Sequence, residues 1–361
     1  MSVQSLSPPV PPHPALAWLR RNLFSSVGNT LVTLLIAAFL LRVLWKIIDW
    51  GLVHAVWSAP DGRACLAASG GEGACWAFIG VWYRFILFGR FPFAEQWRPA
   101  LVIALFIALL LASCLPRLWG RPILLLWLGG LAVNFVLMAG GLGLSAVGTD
   151  LWGGLALTLI LAIVGLIGAF PLAILLALGR RSRMPAVRAL SIAYIELVRG
   201  VPLITVLFMA SVMLPLFLPE GTSIDKLLRA QVGFILFYAA YLAEVVRGGL
   251  QAIPRGQSEA ADALGLGYWR KMRLIILPQA LKIAIPPLVN IFIAGFKDTT
   301  LVTIIGLFDL ISTASNAITD PSWRGFYVEA YSFIGAIYFA FCFFLSRASQ
   351  GLERRLQRDE R

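Results

Sequence analysis

Eight runs of about twenty apolar residues, each nearly free of charge, recur along this chain and leave it few possible folds. They cover 25–47, 99–116, 121–141, 152–179, 201–218, 228–250, 279–297 and 328–346. In lipid every backbone amide and carbonyl must find its partner within the protein, so such runs become helices that cross the bilayer. Hydrophobic residues fill 59% of the 361 positions and charged ones only 13%. That is too little charge to cover a soluble body of this size. The expected fold is therefore all-α, a polytopic membrane protein of about eight transmembrane helices.

The net charge of +12 falls between the apolar runs. A basic soluble protein would point to nucleic acid; here the charge orients helices, and no nucleic-acid partner is expected. Arg20 and Arg21 precede the first run. Arg117 and Arg121 lie between the second and third. Arg180, Arg181, Arg183, Arg188 and Arg199 lie between the fourth and fifth. Arg255, Arg270, Lys271 and Arg273 lie between the sixth and seventh, and Arg347, Arg354, Arg355 and Arg358 follow the eighth. This pattern places both termini and these four basic segments in the cytoplasm of a bacterial inner membrane. The connection 142–151 carries Asp150 and no Lys or Arg, as an outer loop should. Arg20-Arg21 can also open a twin-arginine export signal, but no small-residue cleavage site follows.

Segment 74–98 is the ambiguous one. Trp76, Phe78, Trp82, Tyr83, Phe85, Phe88, Phe91 and Phe93 surround Arg84 and Arg90. A ninth span would place two arginines mid-membrane, whereas an interfacial segment suits both the aromatics and the charges. Four cysteines are present. Cys114 and Cys342 sit in or beside apolar runs as packed residues. Cys65 and Cys75 flank a Gly/Ala/Ser-rich loop and can form a disulfide if that loop is periplasmic. The two histidines, His13 and His54, are isolated, and neither a metal-ligand cluster, a phosphate-binding glycine loop nor a nucleophile elbow is present. No catalytic centre, metal or directly bound cofactor is expected.

Ionisable groups near span ends concentrate in the second half: Glu196, Glu244, Arg247, Lys297 and Asp298. Charges so close to lipid are functional candidates. The chain is accordingly divided into a disordered cytoplasmic tail (1–22), accessory spans with a periplasmic loop at 48–98 (23–147), a working core (148–350) and a cytoplasmic tail (351–361).

Residues 251–278 form the longest patterned connection of that core. Pro254 can open a helix and Glu259-Ala260-Ala261-Asp262-Ala263-Leu264 can continue it. Gly265 can end it in the left-handed conformation. A second helix from Tyr268 is expected to stop before Pro278. An ordinary amphipathic connector would read much the same.

The spacing Glu259-Ala260-Ala261, three residues, Gly265, nine residues, Ile275-x-Leu277-Pro278 is similar to the signature of binding-protein-dependent ABC permeases. Tyr194-Ile195-Glu196-Leu197-Val198-Arg199-Gly200-Val201-Pro202-Leu203, Ala243-Glu244-Val245-Val246-Arg247-Gly248-Gly249 and Phe296-Lys297-Asp298-Thr299-Thr300-Leu301 resemble the histidine/glutamate/glutamine branch. The N-terminal spans and Cys75-Trp76-Ala77-Phe78 resemble the M-type subunit of the general L-amino acid transporter. The resemblance implies a five-helix type I importer core, and half of a translocation pathway for L-amino acids. It also implies partners: an ABC ATPase dimer that binds the ATP, a second and different permease chain, a periplasmic amino-acid-binding protein and membrane lipid. Glu259, Ala260, Ala261, Leu264 and Gly265 would couple the permease to that ATPase, Gly265 because a side chain there would clash or strain the turn.

Asn290, Ile291, Asp298 and Thr299 are the candidate path residues. Positions 291 and 298 are seven apart and share a helix face. Permeases of the family that bind amino acids in the membrane carry an acid at both. Ile291 lacks it, which implies that recognition lies on the partner chain or is loosened. Asp298 could instead pair with Lys297 or cap a helix end. Glu196/Arg199 and Glu244/Arg247 have i, i+3 spacing and can pair locally, or serve gating or subunit contact. Two other readings compete: an ion-gradient-driven secondary transporter, for which no inverted repeat is visible, and a structural subunit without substrate contact.

Overall fold

The computed structural model describes residues 14–217, 219 and 224–358. The chain divides into two compact units, Met1–Ala77 and Phe78–Arg361. Residues 1–13 of the expected tail lie outside the described residues, and the remainder corrects that expectation, since helix α1 (Pro14–Asn22) forms there. Helix α2 (Val27–Ile48) starts on a Ser26 cap, whose Oγ accepts the Asn29 N–H at 3.2 Å. It runs through a π-turn to Val53, making a 27-residue span. α2 carries apolar residues on every side, with Arg42 and Lys46 toward its end. Helix α3 (Gly62–Ser69) follows, and a parallel bridge joins Val56 to Cys75. Trp76 donates its indole N–H to the Gly51 carbonyl at 2.8 Å.

The second unit carries the other spans. Helix α4 (Trp76–Phe88) starts at the unit boundary and has 13 residues. That is too short to cross a bilayer, which removes the ninth span. Its Arg84 donates to Gln96 at 2.8 Å and lies 3.8 Å over the Phe93 ring. Helices α5 (Trp97–Ser113) and α6 (Arg121–Ala139) form a hairpin. Arg98, wholly buried, ties it shut by donating to the Leu137, Met138 and Ser145 carbonyls and pairing with Glu95. The last carbonyls of α6 thus receive a cation, which suits the negative end of a helix.

Helix α7 (Gly154–Arg180) packs along α10 (Lys226–Ala252). Small residues on α7, among them Ala162, Gly165, Ala169 and Ala173, are buried and let the backbones approach. Between them lie α8 (Pro185–Arg199) and α9 (Leu203–Phe208, extended by irregular turns to Phe217), bent 102° apart. The straight span expected at 201–218 is therefore not formed. Gly200-Val201-Pro202 breaks the helix, because proline disfavours helical backbone in the residue before it. Helix α11 (Arg255–Ala263) leads to α12 (Tyr268–Lys271), a π-turn and α13 (Leu277–Asp298). Helix α14 (Leu310–Ala317) is short, and α15 (Tyr327–Arg358) closes the chain. The C-terminal tail expected from 351 is helical to Arg358, and 359–361 lie outside the described residues.

Seven helices among the described residues are long and apolar enough to cross a membrane, or eight if the bent pair counts as one. Five of those eight, formed by α7, α8–α9, α10, α13 and α15, match the expected core.

Candidate functional site

The connection 253–276 is built around one turn. Helix α11 ends in a pair of capping bonds: Leu266 N–H reaches the Ala261 carbonyl at 3.1 Å and Gly265 N–H the Asp262 carbonyl at 2.9 Å. This arrangement requires a left-handed residue after the helix, and Gly265 supplies it with φ +69°. A Cβ at Gly265 would meet nothing within 4 Å, so the expected clash is absent and only backbone strain remains. Lys271 then braces the two short helices, its ammonium 2.6 Å from Asp262 Oδ1 and 2.8 Å from Oδ2. The other outcome differs from expectation. The second helix does not stop before Pro278, because a π-turn at Met272–Ile276 carries the chain into α13. Pro278 then falls in the first turn of α13, where its missing N–H costs nothing.

The loop divides its residues sharply. Ala261 is buried and holds α11 against the protein. Glu259, Ala260, Leu264 and Gly265 are exposed, with Leu264 at 76% and the neighbouring Trp269 at 69%. Below them lies a cleft of about 290 Å³ lined by Arg181, Pro254, Ser258, Glu259, Met272 and Ile276. The helices that flank the loop are clamped together. A Cβ on Gly249 of α10 would sit 2.3 Å from the Ala280 carbonyl of α13, so only glycine permits that crossing. The two membrane helices from which the loop emerges therefore meet at one close contact.

One turn deeper, five charges meet. Glu244 accepts from Arg180 at 2.8 Å and from Arg247 at 2.8 to 3.2 Å, with Arg199 at 3.8 Å. Glu196 pairs with Arg180 at 2.8 Å, not with Arg199 on its own helix. The Glu244/Arg247 pair forms locally as the spacing allows, whereas the Glu196/Arg199 pair is replaced by a cross-helix contact. The network joins the C-terminal end of α7 to α8 and α10. Arg180 is the member that helix spacing does not single out.

The four candidate path residues are not equivalent. Asn290 is exposed and Ile291 half-buried. Thr299 is wholly buried, with its hydroxyl donated to the Phe296 carbonyl at 2.8 Å. Asp298 neither pairs with Lys297 nor caps a helix. It accepts the Tyr238 hydroxyl of α10 at 2.6 Å. Gly295 makes room for that contact: a Cβ there would lie 3.2 Å from Tyr238 Cζ. No sequence signal links Tyr238 to Asp298, since 60 residues separate them. In the first unit, Cys65 and Cys75 are joined as a disulfide with Cα atoms 6.2 Å apart. Among the described residues no cluster of three metal-ligating side chains occurs.

A family model described as binding-protein-dependent transport system inner membrane component matches residues 169–358. The chain is 51% identical to the inner membrane amino-acid ABC transporter permease protein YhdY of Escherichia coli (strain K12), across 96% of each chain. It is 43% identical to the glutamate/glutamine/aspartate/asparagine transport system permease protein BztC of Rhodobacter capsulatus, across 96% of this chain and 95% of the other. Among solved structures it resembles an amino acid ABC transporter crystallised with histidines, at 34% identity and a TM-score of 0.50. That likeness covers 56% of this chain and 92% of the other.

Proposed function

The chain belongs to the family of binding-protein-dependent transport system inner membrane components, and we propose that it is the subunit through which an ATP-driven L-amino acid importer transmits its power stroke. The observation that carries this reading is the loop at 253–276. It presents an exposed, internally braced helix whose ends are rooted in two membrane helices. Such a surface suits a groove on a separate ATPase, with Glu259, Ala260, Leu264 and Gly265 at the contact and Ala261 as its inner anchor. ATP then binds and is hydrolysed on that partner, and the permease itself is not an enzyme.

L-amino acids are the proposed cargo, since both relatives that share the whole chain are named as amino-acid permeases or for named amino acids. A periplasmic amino-acid-binding protein delivers them. The pathway is completed by a second, different permease chain, and two features support placing most recognition there. Ile291 offers no charge, and Asp298 is already engaged by Tyr238. The arginine–glutamate network at Glu196, Arg199, Glu244 and Arg247 holds the inner ends of three helices and is proposed to shift when the pathway opens. The spans before residue 148 form an accessory part: the family model begins at 169, while the two relatives match from end to end. Both termini are placed in the cytoplasm by the basic connections.

Co-purification tests the central claim. The wild-type chain should retain the importer's ATPase subunit through membrane extraction, whereas Glu259→Lys and Gly265→Asp should release it while remaining folded and membrane-inserted. Full retention and coupled ATP hydrolysis in both variants would refute the docking role.

A further inference from the structure

A cavity of about 470 Å³ opens among α5, α6, α7, α13 and α15. Ser113, Ile123, Trp127, Ile163, Phe296 and Leu345 are among its walls. Its two nearest polar groups satisfy each other, since the Trp127 indole N–H donates to Ser113 Oγ at 3.0 Å. The remaining wall is hydrocarbon and aromatic. Water would find almost no partners in such a space, and each water needs two to four. An apolar chain, by contrast, would recover the dispersion contacts that an unfilled wall forfeits.

The mouth of this cavity is marked by charge. Ser113 and Ile123 flank the α5–α6 turn, which carries Arg117 and Arg121. Leu345 lies two residues before Arg347 on α15. All three arginines are exposed, and among the described residues none has an ion pair. No Asp or Glu occurs between Glu95 and Asp150, so nothing in the hairpin neutralises the turn. Arg347 holds its guanidinium 5.0 Å from the Phe343 ring centre, which keeps the cation at the apolar boundary. On α15 the cavity is lined by Phe341 and Leu345, so Arg347 and its Phe343 lie on the far face, and Arg117 and Arg121 of the α5–α6 turn are the cations beside the slot. Two unpaired arginines at the end of a hydrocarbon slot between membrane helices have the chemistry of an anionic phospholipid site.

We infer that this cavity binds one acyl chain of an anionic phospholipid from the inner leaflet, with the headgroup phosphate held by Arg117 and Arg121. The lipid fills the seam between the α5–α6 hairpin and the core helices, where direct helix packing is open. It wedges the accessory spans onto α7, α13 and α15 and adds contacts that the protein does not make by itself. The inference rests on the cytoplasmic placement of the α5–α6 turn proposed above, but it is independent of the ATPase contact.

Native mass spectrometry of the full chain, alone and assembled with its importer partners, tests this with phosphatidylglycerol and phosphatidylcholine as probes. The wild type should retain one phosphatidylglycerol at least about tenfold more strongly than phosphatidylcholine. Combined Arg117→Gln and Arg121→Gln should bring the two lipids to equal retention. Ile163→Trp, which fills the slot, should lose the bound lipid with either headgroup, while Arg188→Gln on α8 should change nothing. Variants that remain monodisperse, helical and able to retain the ATPase separate loss of lipid from loss of fold or docking. Equal retention of both lipids by the wild type would overturn the inference. So would undiminished phosphatidylglycerol in the double-arginine or Ile163→Trp protein, or its expulsion on assembly with the partner permease.

Discussion

Asp309 shows how a single buried carboxylate is used as structure in this protein. It is wholly inaccessible, caps α14 by accepting the Ile311 and Ser312 N–H groups, and also accepts from the hydroxyls of Thr303 and Ser312. Burial pushes its carboxyl above the usual carboxylate range, and these hydrogen bonds only partly oppose the shift. Asp309→Asn keeps one acceptor oxygen for the Ser312 N–H but turns an amide N–H toward the Ile311 N–H, so it should cost less than Asp309→Ala, which should cost about 1–2 kcal/mol and lower the thermal midpoint of the purified protein. The sign with pH follows from the raised value. The carboxyl favours folding below its unfolded pKa, and that contribution is lost as pH rises through the folded pKa. Asp309→Asn should accordingly gain on the wild type as pH is raised, and thermal scans across the acidic to neutral range will show it. A gap that widens on acidification would contradict this account. Gly265 is a different residue-scale case. The need for glycine was legible in the sequence, but the reason is a left-handed cap in open space, which no spacing rule distinguishes from steric exclusion.

At the scale of elements, the decisive junction is where α7, α8 and α10 exchange charge. Glu244 is the hub, since it is mostly buried and faces three guanidinium groups. Removing its charge leaves Arg247 without an acidic partner and Arg180 with Glu196 alone. Glu244→Gln should lower stability by about 1.5–3 kcal/mol, read as a fall in thermal midpoint, as for other hydrogen bonds to charged groups. Glu196 is exposed over more than half its side chain, so Glu196→Gln should cost under about 1 kcal/mol. Equal losses in the two variants would mean that the network has no hub. Helix spacing found Glu196, Arg199, Glu244 and Arg247 but paired two of them wrongly. It counts only neighbours on one helix, whereas Arg180 arrives from another. The 102° bend between α8 and α9 was likewise hidden inside one apolar run, although Gly200 and Pro202 marked the place.

At the scale of the whole molecule, the arrangement of charge predicts which loops face which side. Leu142 stands almost fully exposed in the loop after α6, which holds no Lys or Arg. In a chain with Cys114 and Cys342 replaced by serine, Leu142→Cys should react with a membrane-impermeant maleimide added outside intact cells. Arg117→Cys in the same background should react only after the membrane is opened. The reverse pattern would invert the proposed topology and move the inferred lipid headgroup site to the outer leaflet.

Seven of the expected spans and the amino-acid permease signature were determined by the amino-acid sequence, and its flanking arginines carry the proposed orientation. Each is a local property, carried by run length, charge placement or fixed spacing. Tertiary structure alone decided that Tyr238 occupies Asp298, that Arg180 completes the charge network, that Gly249 clamps α10 to α13, and that five helices leave an apolar slot among them. Those contacts join residues from separate helices, and helix packing in a membrane is set by surface fit, which no single segment of sequence contains.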